Sequence, residues 1–334
     1  MIDVAEAAGV ARSTASYVLN GADESIPEVT RQRVLKAAEE LGYRVNRIAQ
    51  HMARRRSGLV GLIIPSIREP FFSSLTATLN ELIQDQGLRL VFQVVDFEKG
   101  RDASALALQE LIEWQVDGMV VHLEHASDLP KFQPLLQGTP TVYFGIDSAM
   151  RELGGLPNSY SICIDLYSGT RYAVEKLIDM GHRRFCFVDR MFARNDSRRE
   201  ATIDALRSRG VHSLVTLESD HEEVPQRVEA MMKSGEAPTA FVCLNDIHGL
   251  AAFRGIRNAG FSVPEHVSIV SCDTSWIGAY ADPSLSGIAL PLREAAVEAA
   301  NLLKLAMSGE ETETRSLTIE PQLMLRQSTG PVQC

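Results

Sequence analysis

The chain has 334 residues, of which 45% are hydrophobic, and it carries 33 lysines and arginines against 43 aspartates and glutamates. This length corresponds to roughly two domains and supplies enough apolar residues for a buried core, so a mainly disordered chain is excluded. The charge is uneven: residues 1–57 carry +2 and the other 277 carry −12. This excludes a coat of basic side chains over the whole surface and favours a small basic head on an acidic body.

Targeting signals and cysteine pairs are absent from the sequence. No apolar run approaches the ~18 residues that a membrane-spanning helix needs, and residues 1–8 contain acids where a signal peptide has bases. We therefore expect a cytoplasmic protein without membrane contact. The cysteines are odd in number and form no CxxC pair, which predicts buried, reduced thiols rather than disulfides or a zinc site; they are Cys163, Cys186, Cys243, Cys272 and Cys334.

The first 44 residues predict three short helices. A helical segment from Asp3 to Ala8 stops at Gly9, and a second runs from Ala11 to Leu19. A helix, a tight glycine-containing turn and another helix are typical of a helix-turn-helix motif. A third helix is predicted between Pro27 and Gly42, because proline favours the first helical turn and glycine ends a helix. The same pattern also fits a three-helix interaction module.

Several segments of this region carry a family resemblance. They are Asp3-Val4-Ala5, Ala8-Gly9-Val10, Val18-Leu19-Asn20-Gly21, Leu41-Gly42-Tyr43 and Asn46-Arg47, followed by the arginines at 54–56. In these segments the chain resembles the LacI/GalR family, the lac repressor type of bacterial transcription factor. The resemblance implies a helix-turn-helix domain at 1–44, a hinge helix and linker at 45–57, and a ligand-binding and dimerisation core at 58–334.

The resemblance also implies how the head contacts DNA. In such proteins a recognition helix enters the major groove, and the hinge segments of two copies fold together in the minor groove. By position, the DNA-binding residues are Arg12, Ser13 and Tyr17 at base edges, Thr14 and Ser16 at phosphates, Asn20, and the hinge residues Arg47, Ala49 and Met52. Two positions depart from the family pattern: Val45 replaces a proline, and Met52 replaces the leucine that wedges between base steps.

The body alternates strand-like and helix-like segments from residue 59 onward, which predicts doubly wound parallel sheets. The pattern restarts near Gly181, so we expect two sheets. The resemblance extends over nearly the whole chain and implies an α/β core of two lobes, like that of periplasmic binding proteins, with crossovers near Ser159, Ala289 and Thr318. Lobe 1 would then comprise about 58–158 and 290–317, and lobe 2 about 159–289 and 318–334.

A ligand site is expected in the crevice at the carboxyl ends of the strands. The resemblance implies, by position, the ligand-binding residues Phe71, Phe72, Arg199, Asn245 and Asp273, and Trp276 is a further candidate. Guanidinium, amide and carboxylate groups can each form paired hydrogen bonds to neighbouring hydroxyls, while aromatic rings cover apolar ring surface. The alternatives are that Asp273 caps the next helix, that Arg199 is a surface residue, and that the phenylalanines belong to the core.

The nature of the ligand follows from charge. Asp147, Asp165 and Asp189 add acidity to the expected crevice and disfavour an anion, unless Arg190, Arg194 or Arg199 dominates. We therefore expect a neutral sugar, with a nucleoside, purine or sugar phosphate as the alternative. Relatives of this kind suggest a repressor of carbohydrate-metabolism genes that acts as a homodimer on operator DNA in the bacterial nucleoid, with ligand coupled allosterically to DNA binding.

The sequence contains no motif that is typical of an enzyme. The sequence contains no GxSxG, HExxH, Walker A or GxGxxG pattern, so no catalytic residue and no cofactor is predicted. His122 and His125 with Glu124 resemble metal ligands, but surface histidines are the favoured interpretation, and no metal site is predicted. A sugar-binding protein without a DNA role would share the core and remains the distant alternative.

Overall fold

The computed structural model describes residues 1–20, 25–43, 56–95, 101–123, 134–136, 138–145, 160–191, 196–309 and 315–333. The chain divides into two compact units, Met1–Gly58 and Leu59–Cys334. In these described ranges, no helix has both the length and the apolar character needed to cross a membrane.

In the described part of the first unit, three helices form a bundle: α1 (Ile2–Ala7), α2 (Arg12–Asn20) and α3 (Glu28–Glu40). Gly9 lies between α1 and α2 with a φ of 60°, a left-handed conformation that glycine adopts without steric cost. Small residues dominate the core of the bundle, which lets its helices approach closely. The buried residues are Val4, Ala5, Ala8, Ala15, Val18, Val34, Ala37 and Ala38.

The second unit alternates strands and helices along its length. In chain order these are β1 (Leu59–Ile64), α4 (Pro70–Asp85), β2 (Arg89–Val94), α5 (Arg101–Glu113), β3 (Gly118–Leu123), β4 (Thr141–Gly145), β5 (Tyr160–Ile164), α6 (Leu166–Asp179), β6 (Arg184–Asp189), α7 (Ser197–Ser208), β7 (Ser213–Glu218), α8 (Val224–Met232), β8 (Ala240–Cys243), α9 (Asp246–Asn258), β9 (Ser268–Thr274), α10 (Trp276–Ala279), β10 (Ser286–Ala289), α11 (Leu292–Ser308), β11 (Arg315–Ile319) and β12 (Gln322–Met324).

Among the residues that the structure describes, the strands form two six-stranded sheets, one in each lobe. Their orders are β11-β5-β4-β3-β1-β2 and β12-β10-β9-β8-β6-β7. All neighbouring strands pair in parallel except β10 and β12, which are antiparallel. Helices cover both faces of each sheet, so the central strands β3, β4, β5 and β8 are buried along their whole length.

The chain crosses between the lobes slightly later than the sequence suggested. Strand β5 was assigned to lobe 2 by the expected crossover near Ser159, but it pairs with β4 and β11 in the first sheet. The crossings therefore fall near Asp165, Leu290 and Glu320. Gly169 on α6 permits the last of these crossings, because a Cβ there would lie 2.8 Å from Cγ of Pro321.

The cysteines within the described residues are buried and form no disulfide with one another, as predicted: Cys163, Cys186, Cys243 and Cys272. Burial raises the pKa of Cys186 and of Cys272 to about 12. These thiols are therefore protonated and inert at neutral pH. Cys334 lies outside the described residues.

Candidate effector-binding cavity and DNA-reading helix

Helix α2 separates its polar and apolar residues onto opposite sides. Arg12, Ser13 and Tyr17 are exposed and lie on one face at spacings of one and four residues, while Ala15 and Val18 are buried against the other helices. The tyrosine ring is 50% exposed, although it could have packed into the small core. The predicted base-reading side chains of the head are therefore available to a partner.

The other predicted DNA-binding residues lie on the same helix or in the hinge. Thr14 and Ser16 are half-buried at the margin of the same helix face. The side chain of Asn20 and the hinge residues Arg47, Ala49 and Met52 lie outside the described residues.

A cavity of about 420 Å³ lies at the carboxyl ends of the strands in the second unit. Lobe 1 contributes the turn after β1 from Pro65, the start of α4, and His122 of β3. Lobe 2 contributes the segments that follow β6, β7 and β8, together with Asp273 near the end of β9. This is the position at which open α/β sheets bind ligands, and the volume falls within the range of small-molecule sites.

Four of the six predicted ligand-binding residues line this cavity: Phe71, Phe72, Asn245 and Asp273. The two phenylalanine rings pack edge-to-face with their centroids 4.8 Å apart, and both also belong to the core of lobe 1. They are therefore fixed in place by the packing of α4 on the sheet. The sequence presented packing in the core and lining of the cavity as alternatives for these phenylalanines. In the structure both residues do both.

The predicted arginine is misplaced by one residue. Arg199 does not line the cavity: its Nη1 donates to Oε1 of Glu218 at 2.9 Å and lies 3.7 Å from Oδ2 of the buried Asp189. Arg198 lines the cavity instead. Successive residues of a helix point about 100° apart, so the side chains of Arg198 and Arg199 leave the helix in different directions.

Arg198 is held rigidly at the cavity wall. Its Nε and Nη2 donate to the two carboxylate oxygens of Asp196 at 2.7 and 2.5 Å, and its Nη1 donates to the carbonyl of Leu244 at 3.2 Å. Both side chains are 8% exposed. Burial alone would raise the pKa of Asp196, but the charge and hydrogen bonds of Arg198 reverse this and lower it. The pair is therefore ionised and preorganised.

Trp276 also lies away from the cavity. Its side chain is 66% exposed and its ring packs edge-to-face on Tyr280, itself 82% exposed, with centroids 6.2 Å apart. The short helix α10 is capped by Ser275, whose Oγ accepts from the backbone N of Ile277. Asp273 therefore does not cap the helix that follows it.

The carboxylate of Asp273 has no hydrogen-bond partner among the described residues. Burial raises the pKa of Asp273 to about 7, with Asp246 and Glu69 acting in the same direction and Arg198 opposing them. An acceptor that faces a cavity without a protein donor is available for a ligand.

Sequence reasoning missed much of the polar lining. The additional side chains are Ser66, Arg68, Glu69, His122, Arg190, Asp196, Ser197, Arg198, Asp220, His221, Glu222 and His248. Most follow strands in connecting segments, where neither periodicity nor a motif marks them. The signal that could have found them is position alone, because His122 lies at the end of β3 and the others follow a strand end or begin the next helix.

The lining is more acidic than basic. Three arginines, at 68, 190 and 198, face five carboxylates, at 69, 196, 220, 222 and 273. The acids from which the sequence predicted this balance are different ones: Asp165 caps α6, Asp189 is buried outside the lining, and Asp147 lies outside the described residues. Burial raises the pKa of Asp189 to about 6. The surplus of carboxylates disfavours an anionic ligand.

Within the described residues, no group of three or more histidines, cysteines or carboxylates could hold a metal ion. His122 is buried, lines the cavity and packs against Phe72 with ring centroids 4.9 Å apart. It is therefore a cavity residue rather than the surface histidine expected, while Glu124 and His125 lie outside the described residues.

Both units of the chain match models of known protein families. Residues 1–46 match the bacterial regulatory proteins of the lacI family, and residues 174–329 match the periplasmic binding protein-like domain. The HTH-type transcriptional regulator CelR of Thermobifida fusca is 32% identical over 97% of this chain and 96% of its own length. These matches confirm the predicted resemblance.

Solved structures agree with the fold. The lac repressor dimer bound to operator and the anti-inducer ONPF superposes with a TM-score of 0.84, at 24% identity over 98% of each chain. A complex of the transcriptional regulator CelR with cellobiose has a TM-score of 0.67, at 27% identity over 98% of each chain. The predicted helix-turn-helix head and two-lobed periplasmic-binding-protein-like core are confirmed.

The chain belongs to the LacI family of bacterial regulatory proteins. It is a DNA-binding transcriptional regulator rather than an enzyme, as the sequence predicted.

Proposed function

We propose that this regulator is a homodimeric repressor of carbohydrate-metabolism genes, whose DNA binding is controlled by a neutral sugar in the cavity between the lobes. The cavity carries the proposal: carboxylates exceed arginines in its lining, Asp273 offers an unpaired acceptor, and Phe71 and Phe72 offer apolar faces. Hydroxyl groups suit such acceptors, whereas a phosphate group does not. The cellobiose complex of the CelR regulator supports the same ligand class.

The proposed ligand contacts are those of the cavity. Phe71, Phe72, Asn245 and Asp273 keep the role that the sequence suggested, and Arg198 takes the role first given to Arg199. Ligand that contacts both lobes would favour one lobe arrangement over another, and the hinge segments would transmit this to DNA. Either sign of response, release or co-repression, is compatible with these parts.

A ligand panel tests this proposal directly. Purified protein is titrated with cellobiose, glucose, galactose, ribose, their phosphates, and purine nucleosides, and the melting temperature and DNA affinity are measured. We expect at least one neutral sugar to stabilise the protein by mass action and to change its DNA affinity. Binding of phosphates or nucleosides alone would overturn the sugar proposal and leave the regulator class intact.

On the DNA side, α2 would read bases in the major groove from two copies on one pseudopalindromic operator, with Arg47, Ala49 and Met52 in the minor groove. Thr14, Ser16 and Asn20 would complete the contacts, and the bound dimer would be part of the nucleoid. The exposed position of Arg12, Ser13 and Tyr17 supports this arrangement.

An Arg12→Ala variant is expected to lose about 1 to 3 kcal/mol of binding free energy on the operator and much less on random DNA, because a bidentate base contact discriminates sequence. The operator is first selected from a random pool with the wild type, and both affinities are measured at one salt concentration. Lys36→Ala on α3, whose side chain is 77% exposed, serves as the control. Equal losses on both DNAs would exclude base reading by Arg12.

The exposed pair Trp276 and Tyr280 supports dimerisation through lobe 2. Large aromatic side chains at 66% and 82% exposure are typical of protein interfaces rather than of free surface. We expect Tyr280→Asp to weaken the dimer at least tenfold in sedimentation, because a carboxylate would be buried without a partner. Tyr172→Asp on α6, where the tyrosine is 51% exposed, is the control and should leave the dimer intact.

A further inference from the structure

His248 lies in the first turn of α9 and lines the cavity, but the effector contacts described above do not use it. The side chain of Asn245 caps this helix: its Oδ1 accepts from the backbone N of His248 at 3.1 Å. The same oxygen lies 2.8 Å from Nδ1 of the His248 ring. Because a backbone N–H can only donate, it fixes which end of the Asn245 amide is oxygen. The Nδ2 group of Asn245 is therefore the end that can donate to a ligand.

The same contact fixes the proton on the imidazole. Since Oδ1 of Asn245 is an acceptor, Nδ1 of His248 must carry hydrogen. Burial, followed by the nearby charges of His221, Arg198 and Arg190, lowers the pKa of His248 to about 4, against a smaller opposite effect of the Ser219 carbonyl. The ring is therefore neutral at physiological pH, and its Nε2 carries a lone pair.

That lone pair has no protein donor. Nε2 of His248 is fully buried and forms no hydrogen bond in the described structure, and the residue as a whole is 6% exposed. Buried polar atoms in folded proteins are almost always hydrogen-bonded, so an orphan acceptor in a cavity wall indicates a missing partner. The residue also cannot move aside easily, because its backbone and its other ring nitrogen are both tied to Asn245.

We propose that Asn245 and His248 form one donor–acceptor pair that selects an effector with two neighbouring hydroxyl groups, one accepting from Nδ2 of Asn245 and the other donating to Nε2 of His248. The pair is rigid, because the two residues are joined through a shared oxygen atom. A hydroxyl both donates and accepts, so a diol satisfies both partners, whereas an ionised phosphate offers no donor to Nε2. The proposal rests on the proposed sugar-binding function of the cavity and adds a specificity residue, His248, to it.

The ligand test uses a cycle of protein and sugar variants. The wild type and His248→Met are titrated calorimetrically with cellobiose, glucose, galactose and ribose, and with the monodeoxy derivatives of whichever sugar binds. We expect His248→Met to bind that sugar about tenfold more weakly, the equivalent of one hydrogen bond. Removing one particular hydroxyl should weaken the wild type by a similar factor and the variant not at all. His212→Met, at an exposed position after α7, should bind as the wild type does.

The outcomes separate this proposal from the function on which it rests. If a sugar binds the wild type and His248→Met equally well, the role of His248 is wrong and sugar binding stands. If none of the four sugars binds the wild type, both proposals fall. A third outcome is that the loss of affinity from His248→Met and the loss from removing a sugar hydroxyl add at every deoxy position. That outcome would make His248 a packing residue only.

A ligand-independent measurement tests the chemistry of the pair. Nitrogen-15 spectra of histidine-labelled protein should show the His248 ring as the neutral Nδ1–H tautomer at pH 7, and the ring should stay neutral down to about pH 5. On addition of the sugar, the Nε2 resonance should shift as that atom accepts a hydrogen bond. A proton on Nε2 in the free protein would remove the acceptor and overturn the proposal.

Discussion

Asp273→Asn is expected to abolish the response to effector and, at pH 8, to raise the melting temperature of the protein. The amide keeps the shape of the carboxyl group but replaces one acceptor oxygen with a donor, so at pH 8, where Asp273 is mostly ionised, ligand hydroxyls lose a charged acceptor. It also removes a charge that the fold disfavours, because burial and the nearby Asp246 and Glu69 outweigh Arg198 and raise the pKa of Asp273 to about 7.

The pH dependence of this effect follows from proton linkage. The folded protein holds the Asp273 proton up to about pH 7, whereas an unfolded chain releases it near pH 4. Between these values the folded state binds more protons, so the contribution of Asp273 to the free energy of unfolding falls as the pH rises. Melting curves from pH 4 to pH 8 should therefore diverge between variant and wild type towards pH 8.

The control for this experiment is Asp85→Asn, at the exposed end of α4, which should change neither the effector response nor the pH profile. An Asp273→Asn protein that still responds normally to the effector would exclude Asp273 from the site. Melting curves that stay parallel across the pH range would show that its carboxyl group is not protonated in the folded protein.

Arg198→Met should be the most destabilising single change in the cavity, with a loss of about 3 to 5 kcal/mol in the free energy of unfolding. The substitution leaves the carboxylate of Asp196 buried without its partner, at a position that is 8% exposed. Denaturant unfolding at pH 7 measures the loss. Because protonation neutralises the stranded carboxylate, the deficit should shrink as the pH is lowered.

The adjacent arginine provides the matched comparison. Arg199→Met removes an ion pair to Glu218 whose side chains are 23% and 44% exposed, and such pairs contribute less than about 1 kcal/mol. It also removes a longer contact of 3.7 Å between Nη1 of Arg199 and Oδ2 of the buried Asp189. We expect a smaller loss of stability than for Arg198→Met, because Arg199 forms no hydrogen bond with that buried carboxylate. The two variants make the same arginine-to-methionine substitution at neighbouring residues of one helix. Equal losses of stability would mean that the buried pair of Arg198 and Asp196 has no special role in the fold.

The elements of the body that can be recognised from the sequence are those with strong local patterns. Strands such as β3 and β4 are continuous apolar runs, and helices such as α4 and α6 carry one apolar stripe. Other elements lack such a pattern. Strand β7 lies at the edge of its sheet and is largely exposed, while β10, β11 and β12 have three to five residues each. Their pairing with neighbours, rather than their composition, makes them strands.

The candidate site shows the same division. Phe71, Phe72, Asn245 and Asp273 were predicted by their positions in the family resemblance, and the structure places all four at the cavity. Trp276 was wrongly predicted at the site because closeness in sequence to Asp273 does not fix the direction of a side chain. Ser275 caps the short helix α10, and the indole ring points outward and packs on Tyr280. His248 was missed because a histidine inside an ordinary helix carries no motif.

The sequence by itself determined the class of the molecule: a helix-turn-helix head, an alternating α/β body and a regulator rather than an enzyme. The helical head and the alternating body follow from turns and periodicity, which are properties of neighbouring residues, and the regulator class follows from the resemblance of short segments to the LacI/GalR family. The tertiary structure alone decided that β5 belongs to lobe 1, that Arg198 rather than Arg199 faces the cavity, and that the orphan nitrogen of His248 faces no protein donor. Each of these depends on the direction of a side chain or the partner of a strand, which is fixed by contacts between residues far apart in the chain.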